Sequence, residues 1–220
     1  MTKVSFHNLG YIKDLERKYR LEDFTPLNDD FILVKGELPI LISASHSVSH
    51  FREGKEKFGE YMAGVLATVL GEKLNCSVIT KVKNDLTDPN YDNEHPYKDE
   101  CVNFIKENNI QLVFDLHIMS DKREANIEIG TGLGRNVNFN NTYKDVLKLN
   151  LEKNNLSPVI VDELFSALNK STVSAFVSRL SNVPCVQLEI NWRLLNFHSG
   201  DFNFDGLVRS LEESVLSLIK

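Results

Sequence analysis

Two histidines end apolar stretches of this sequence. His46 ends the stretch 38–46, and His117 ends the stretch 110–117. Short aliphatic runs of this kind are typical of buried strands in a mostly parallel sheet, and ligands of such sheets bind beyond the carboxyl ends of the strands. Both imidazoles are therefore expected at one edge of a sheet, where their nitrogens can serve as zinc ligands.

A third apolar stretch, 184–191, carries Glu189 near its end. An unpaired carboxylate within an apolar strand is costly, which leaves two interpretations. Glu189 either forms an ion pair with Arg193, or it acts as a general base that takes a proton from zinc-activated water and passes it to the leaving nitrogen. We favour the general base. Arg193 would then bind a substrate carboxylate through its planar guanidinium, provided that the strand continues past Glu189.

A catalytic zinc ion commonly has three protein ligands and one open position for water. Glu60 is the favoured third ligand because it follows the first histidine, early in a predicted helix. The helical face that carries Glu60 also holds small residues, at positions 63, 64 and 67, which allow the helix to approach the sheet closely. The alternatives for this third ligand are Glu53, Glu56 and His50.

Predicted strands and helices alternate along the chain, which indicates a three-layer α/β/α fold with a mixed, mostly parallel central sheet. The length and apolar content are compatible with a single domain over residues 1–220. The first two predicted strands, 31–34 and 39–43, are separated by a short turn that allows an antiparallel pair. A long polar loop, 84–96, is either a functional lid or a solvated connection. The remaining predicted strands lie at 77–80 and 125–130, and the helices lie at 55–72, 97–108, 143–154, 172–181 and 204–219.

Composition argues against several classes of partner. The net charge is -6 and no run of Lys or Arg stands out, so a nucleic-acid partner is not expected. The three cysteines have no paired spacing, which is typical of a reducing compartment. No segment has the roughly 18 apolar residues of a membrane span, and residues 1–7 lack the apolar core of a signal peptide. The sequence thus predicts a cytoplasmic protein without a membrane partner, and it leaves the oligomeric state open.

The three apolar stretches resemble successive motifs of the N-formylglutamate amidohydrolase family, a group of zinc amidases whose fold is similar to that of the zinc carboxypeptidases. The family's Pro-His-Ser-Gly motif corresponds to residues 45–48, with Ser45 in place of the proline and Val48 in place of the glycine. Its Asp-x-His-Ser-Met motif corresponds to residues 115–119, with Ile118 in place of the serine. The third stretch is similar to the family's C-terminal strand, in which a glutamate is followed by an arginine.

This resemblance spans residues 38–195 and extends to two further features. Family members carry an acidic residue on the helix after the first histidine, and Glu60 matches it. They also carry an Arg/Asp/Asn segment before the second histidine, which residues 88–90 resemble in part, although the neighbouring arginines are absent. This departure concerns the substrate more than the metal.

The residues and the resemblance predict a zinc-dependent hydrolase of an amide bond adjacent to a carboxylate. The implied substrate is N-formylglutamate or another N-acyl or γ-linked glutamyl compound, so the expected partner is a small acyl amino acid or a short peptide. Two alternatives are a carboxypeptidase-type metallopeptidase on short or cell-wall peptides and a catalytically inactive binding protein with the same fold. The predicted zinc ligands are His46, Glu60 and His117, the catalytic residues are Glu189 and Arg193, and the substrate-binding residues are Arg52, Asn90 and Arg193.

Overall fold

The computed structural model describes residues 9–24 and 29–219. The strands in these ranges are β1 (Phe31–Val34), β2 (Leu38–Ala44), β3 (His50–Arg52), β4 (Lys55–Lys57), β5 (Cys76–Lys81), β6 (Leu112–Met119), β7 (Ile127–Gly130), β8 (Val159–Val161) and β9 (Cys185–Asn191). The helices are α1 (Leu9–Leu21), α2 (Tyr61–Leu74), α3 (Pro96–Asn108), α4 (Thr142–Lys153), α5 (Val173–Ser181) and α6 (Phe204–Leu218). None of these helices is long and apolar enough to cross a lipid bilayer. The expectation about residues 1–7 lies outside the described residues.

Seven strands form one sheet in the order β1-β5-β2-β6-β9-β7-β8. The four neighbours β5, β2, β6 and β9 run parallel to one another, whereas β1 is antiparallel to β5 and β7 is antiparallel to β9. The predicted mixed, mostly parallel sheet is therefore confirmed. Because β2, β6 and β9 are parallel neighbours, their carboxyl ends meet at one edge of the sheet.

Helices cover both faces of the sheet and give it two separate apolar cores. Along β6, Leu112, Phe114 and Leu116 belong to the core under α1, α2, α4 and α6. Val113 belongs to the core under α3 and α5. This alternation follows from the two-residue period of a strand that is buried on both faces, and it produces the predicted three layers.

Two local expectations are wrong. Strand β1 does not pair with β2, because β5 lies between them and the backbone N–H groups of Glu37 and Leu38 both donate to the carbonyl of Asn75 at the start of β5. The helix predicted from residue 55 begins only at Tyr61, because Lys55–Lys57 pairs with His50–Arg52 in a small hairpin. Positive φ values at both central turn residues are typical of a two-residue hairpin, and the pair between β3 and β4 has them.

Candidate metal centre

His46, Glu60 and His117 meet at the carboxyl edge of the sheet. The carboxylate lies between the two rings: Oε1 is 3.1 Å from Nδ1 of His46, and Oε2 is 3.3 Å from Nδ1 of His117. One ligand atom of each residue lies within 4.8 Å of the others. Ligand atoms at tetrahedral zinc bond lengths lie about 3.3 Å from one another, so the two distances between Glu60 and the rings are compatible with a zinc ion held by two imidazoles and one carboxylate.

Short backbone contacts bring Glu60 next to His46. Glu60 is the residue that precedes helix α2, and its N–H donates to the carbonyl of His46 over 2.7 Å. A Cβ atom at Gly59 would lie 2.6 Å from the backbone of Val48, so only glycine allows this approach. One turn into the helix, a Cβ atom at Gly64 would lie 2.6 Å from Cβ of Ser47. The small residues of this helix therefore permit the close contact that the sequence predicts.

Each imidazole uses its outer nitrogen for a second carboxylate. Nε2 of His46 lies 2.8 Å from Oδ1 of Asp88, and Nε2 of His117 lies 3.2 Å from Oδ2 of Asp115. Both aspartates are completely buried. A carboxylate is one of the common partners of the outer nitrogen of a metal-binding histidine, where it sets the tautomer and the ring orientation and raises the basicity of the ligand.

The electrostatics of the cluster favour a bound cation. Burial lowers the pKa of His46, but the carboxylates of Glu60 and Asp88 outweigh this effect and raise it to about 8. Burial likewise opposes ionisation of His117, yet Asp115 and Glu60 hold its pKa well above the usual value. For Glu60, burial raises the pKa, and the two rings reverse this and lower it. The buried carboxylates that stabilise positive charge on the two rings would likewise stabilise a zinc ion bound to the deprotonated rings.

The other predicted third ligands are placed less favourably. His50 stacks on His46 with ring centroids 3.9 Å apart, and it forms a second possible metal group with His46 and Asp88. In that group Asp88 lies at hydrogen-bond distance from Nε2 of His46, so the nitrogen and the carboxylate are already partners of each other. Glu53 accepts a hydrogen bond from the hydroxyl of Tyr91, and Glu56 is exposed in β4. Glu60 thus has the best geometry of the four candidates.

Glu189 lies beside the cluster and outside the set of three ligands. Strand β9 pairs Glu189 directly with His117 of β6, and only 7% of Glu189 is exposed. The side-chain amide of Gln187 donates to Oε1 of Glu189 over 3.2 Å. Burial raises the pKa of Glu189 to about 7, against the opposing effect of His117. A carboxyl group with this pKa beside a metal site is suited to accept and return a proton.

A cleft of about 490 Å³ opens beside the cluster, and it is lined by His46, Glu60, His117 and Glu189. Arg52 and Asn90, both predicted to bind substrate, line the cleft. Nε of Arg52 donates to Oδ2 of Asp88 over 2.8 Å. The side-chain carbonyl of Asn90 accepts from the N–H of Val173 over 2.8 Å, which ties the loop before α3 to the start of α5.

Arg193 lies elsewhere, and the expectation that it reaches the cleft is wrong. Strand β9 ends at Asn191, and the chain turns into a 3-10 turn at Trp192–Leu194, so residue 193 does not continue the strand face of Glu189. The Arg193 guanidinium donates to Oδ1 of Asn126 and to backbone carbonyls of the β6–β7 connection, including that of Arg123. The ion pair with Glu189 does not form among the described residues.

Besides Asp88 and Gln187, three further contributors to the site were not predicted in these roles. Asp115 could have been found from its Asp-x-His spacing, because residues two apart on a strand share a face. Arg123 lines the cleft from a polar loop and carries no sequence signal. Glu128 is fully buried, and its side chain accepts hydrogen bonds from the consecutive backbone N–H groups of residues 163–165 at 2.9, 2.6 and 2.7 Å. It thereby holds Phe165 in the wall of the cleft.

The fold and the site define an α/β protein with a candidate mononuclear metal centre at the carboxyl edge of its sheet. No protein-family model and no curated protein matches the sequence. Solved structures with the same fold include a bacteriophage poly-γ-glutamate hydrolase, with a TM-score of 0.58 and 13% identity over 90% of this chain and 93% of that one.

Two further solved structures are similar over most of their length. A gene product from Agrobacterium tumefaciens has a TM-score of 0.59 and 13% identity, and the match covers 86% of this chain and 96% of that protein's chain. N-formylglutamate amidohydrolase from Ralstonia eutropha JMP134 has a TM-score of 0.56 and 14% identity, again over 86% of this chain and 96% of its own. The fold implied by the motif resemblance is therefore confirmed.

Proposed function

We propose that the protein is a zinc-dependent amidohydrolase that cleaves an amide bond adjacent to a carboxylate. The observation that carries this proposal is the convergence of His46, Glu60, His117 and Glu189 on one cleft. Two proteins with the same fold are named as hydrolases of N-formylglutamate and of poly-γ-glutamate, which supports the reaction class. N-formylglutamate or another N-acyl or γ-linked glutamyl compound is the proposed substrate.

Different residues of the chain bind the metal and transfer the proton. Zinc, when bound by His46, Glu60 and His117, supplies a Lewis acid that polarises the scissile carbonyl and activates water. Glu189 accepts the proton of the attacking water and then delivers it to the leaving nitrogen. Its burial suits both steps, because a raised pKa makes the carboxylate a stronger base and still lets the acid form give up its proton.

Metal content and turnover test the proposal together. Protein purified without added zinc should contain about one equivalent of zinc, as a site with three protein ligands predicts. It should hydrolyse members of a panel of N-acyl amino acids and γ-glutamyl peptides. Glu189→Gln should keep the metal and lose turnover, whereas the matched control Glu56→Gln, in an exposed hairpin strand, should keep both. A metal-free protein without turnover would instead support the binding-protein alternative.

A further inference from the structure

The cleft has a charge pattern unlike that of the whole protein. The chain carries a net charge of -6, yet the charged residues that line the cleft outside the catalytic cluster are two arginines, Arg52 and Arg123. Oriented cations in a concave site attract anionic ligands and orient them. The other two charged residues of the lining, Glu60 and Glu189, belong to the catalytic cluster, which leaves the two arginines to bind other parts of a substrate.

Sheet topology places the two arginines on opposite sides of the reaction centre. Arg52 lies in β3, which follows His46 beyond the end of β2. Arg123 lies in the connection from β6 to β7 and stacks over Phe165, whose backbone is bound by Glu128 of β7. The carbonyl of Arg123 accepts a hydrogen bond from Asn191 at the end of β9, so in the strand order β2-β6-β9-β7 Arg52 lies toward the β2 side of the cluster and Arg123 toward the β9–β7 side.

Both guanidinium groups have donors to offer. Arg52 uses Nε for Asp88, and its two terminal nitrogens form no hydrogen bond within the described residues. The Arg123 guanidinium stacks 5.7 Å from the centre of the Phe165 ring and forms no hydrogen bond or ion pair within the same part of the chain. The backbone of Arg123 is well anchored, because its carbonyl accepts from Asn191 and from Arg193. Arg193 thus supports the arginine that reaches the cleft.

We propose that the substrate carries a carboxylate on each side of the scissile amide, one bound by Arg52 and the other by Arg123. This inference rests on the proposed function and narrows its substrate class. A planar guanidinium binds a carboxylate through two parallel hydrogen bonds, so one arginine at each end selects an amide with two acidic ends. A γ-linked glutamyl peptide meets this requirement, whereas an N-acyl amino acid with an uncharged acyl group does not.

N-glutarylalanine is a suitable probe, because it has one carboxylate on the acyl side and one on the amine side of its single scissile amide. Its two mono-amides each lack one of these charges. With the zinc-loaded protein, either mono-amide should show a loss in kcat/KM of about ten- to hundred-fold, as expected for a lost charged hydrogen bond. Arg52→Gln and Arg123→Gln should each show a similar loss on the diacid and little further loss on one mono-amide, a different one for each variant.

The control is Arg179→Gln, because Arg179 is exposed and also stacks on a phenylalanine ring but does not line the cleft. Zinc content is measured for every variant, since Arg52 also contacts Asp88. Equal rates on the diacid and both mono-amides, or equal losses on all three probes in the Arg123→Gln protein, would overturn the inference.

Calorimetric binding of the same probes separates this inference from the proposed function. Suppose that no probe is cleaved, that the diacid binds more tightly than either mono-amide, and that each arginine variant removes this preference. The proposed hydrolase activity is then rejected, and the two carboxylate-binding sites are supported. If the probes are not cleaved and bind equally, both proposals fail. Cleavage without any preference for the diacid would keep the hydrolase and reject the two carboxylate sites.

Discussion

His46 and His117 have the same chemistry but different structural support. Both rings are buried, and both direct Nδ1 at Glu60 and Nε2 at an aspartate. For His117 the aspartate is Asp115, two residues earlier on the same central strand. For His46 it is Asp88, which lies in the long loop between β5 and α3.

The two aspartates are held in correspondingly different ways. Asp115 accepts hydrogen bonds from Ser43 on β2 and from Ser174 on α5, so its partners belong to regular elements. Asp88 accepts from Arg52 and from a backbone N–H within its own loop. The strand-borne half of the site therefore depends on sheet packing, whereas the loop-borne half depends on the conformation of one loop.

A buried lysine anchors that loop. Lys98 is completely buried, and its ammonium donates to the carbonyls of Asp92 and Asn93 and, over 2.9 Å, to that of Ser171. The ammonium thus joins the loop that carries Asp88 to the segment that precedes α5. The long polar loop of the sequence is a structured wall of the site, because its backbone groups have specific partners.

The largest effect is expected from loss of either ring. His46→Ala and His117→Ala should each lower zinc affinity by orders of magnitude, because a three-ligand site loses one ligand. Zinc affinity measured by competition with a chelator provides the test, with circular dichroism to confirm folding. His198→Ala, in an exposed position, is the matched control. Full zinc occupancy in both single variants would contradict the proposed metal site.

Substitution of the two glutamates at the site should affect zinc binding and turnover differently. Glu60→Gln should weaken zinc binding because the carboxylate lies between the two rings, and turnover should fall with the metal. Glu189→Gln should retain zinc and lose most of its kcat, as expected when a general base is removed. Zinc content and kcat measured on the same preparations distinguish the two. The opposite pattern would exchange the two roles.

Smaller effects should follow from the outer carboxylates, and they sharpen the contrast between the two halves. Asp88→Asn and Asp115→Asn should each reduce zinc affinity by about 10- to 100-fold, the usual result of losing such a partner. Only Asp88→Asn should also increase amide hydrogen exchange across the loop 82–95, because the Asp88 carboxylate accepts hydrogen bonds from the N–H of Asn90 in that loop and from Arg52 of β3. Equal exchange in the loops of both variants would show that loop and strand support are equivalent.

The smallest effect on the metal site is expected at Arg193, which contacts neither ring. Arg193→Lys should leave zinc affinity unchanged and lower the free energy of unfolding by about 1–2 kcal/mol, since a lysine cannot reproduce the several hydrogen bonds of the guanidinium. Urea denaturation measures this loss, and Arg179→Lys is the control. A large fall in zinc affinity would contradict the position of Arg193 outside the cleft.

Much of the sheet could be predicted because its central strands are continuous apolar runs. Strands β2, β6 and β9 were located in this way, and parallel packing then brought His46, His117 and Glu189 to one edge. The β3–β4 hairpin was not predicted, since β4 is fully exposed and polar. The three-residue strand β8 was missed because it is too short to show a period. Helix α1 was not predicted either, although its buried residues keep helical spacing.

The sequence by itself determined which chemistry-bearing residues stand at the ends of buried strands, because the apolar runs and their lengths are local properties. Only the tertiary structure decided which nitrogen of each ring faces Glu60, that Asp88 supports His46, and that Arg123 rather than Arg193 lines the cleft. These outcomes depend on contacts between residues far apart in the chain. The spacing of Arg193 from Glu189 suggests a shared strand face. The strand ends before Arg193, however, because Asn191 begins a turn in which its side chain accepts a hydrogen bond from the Arg193 N–H.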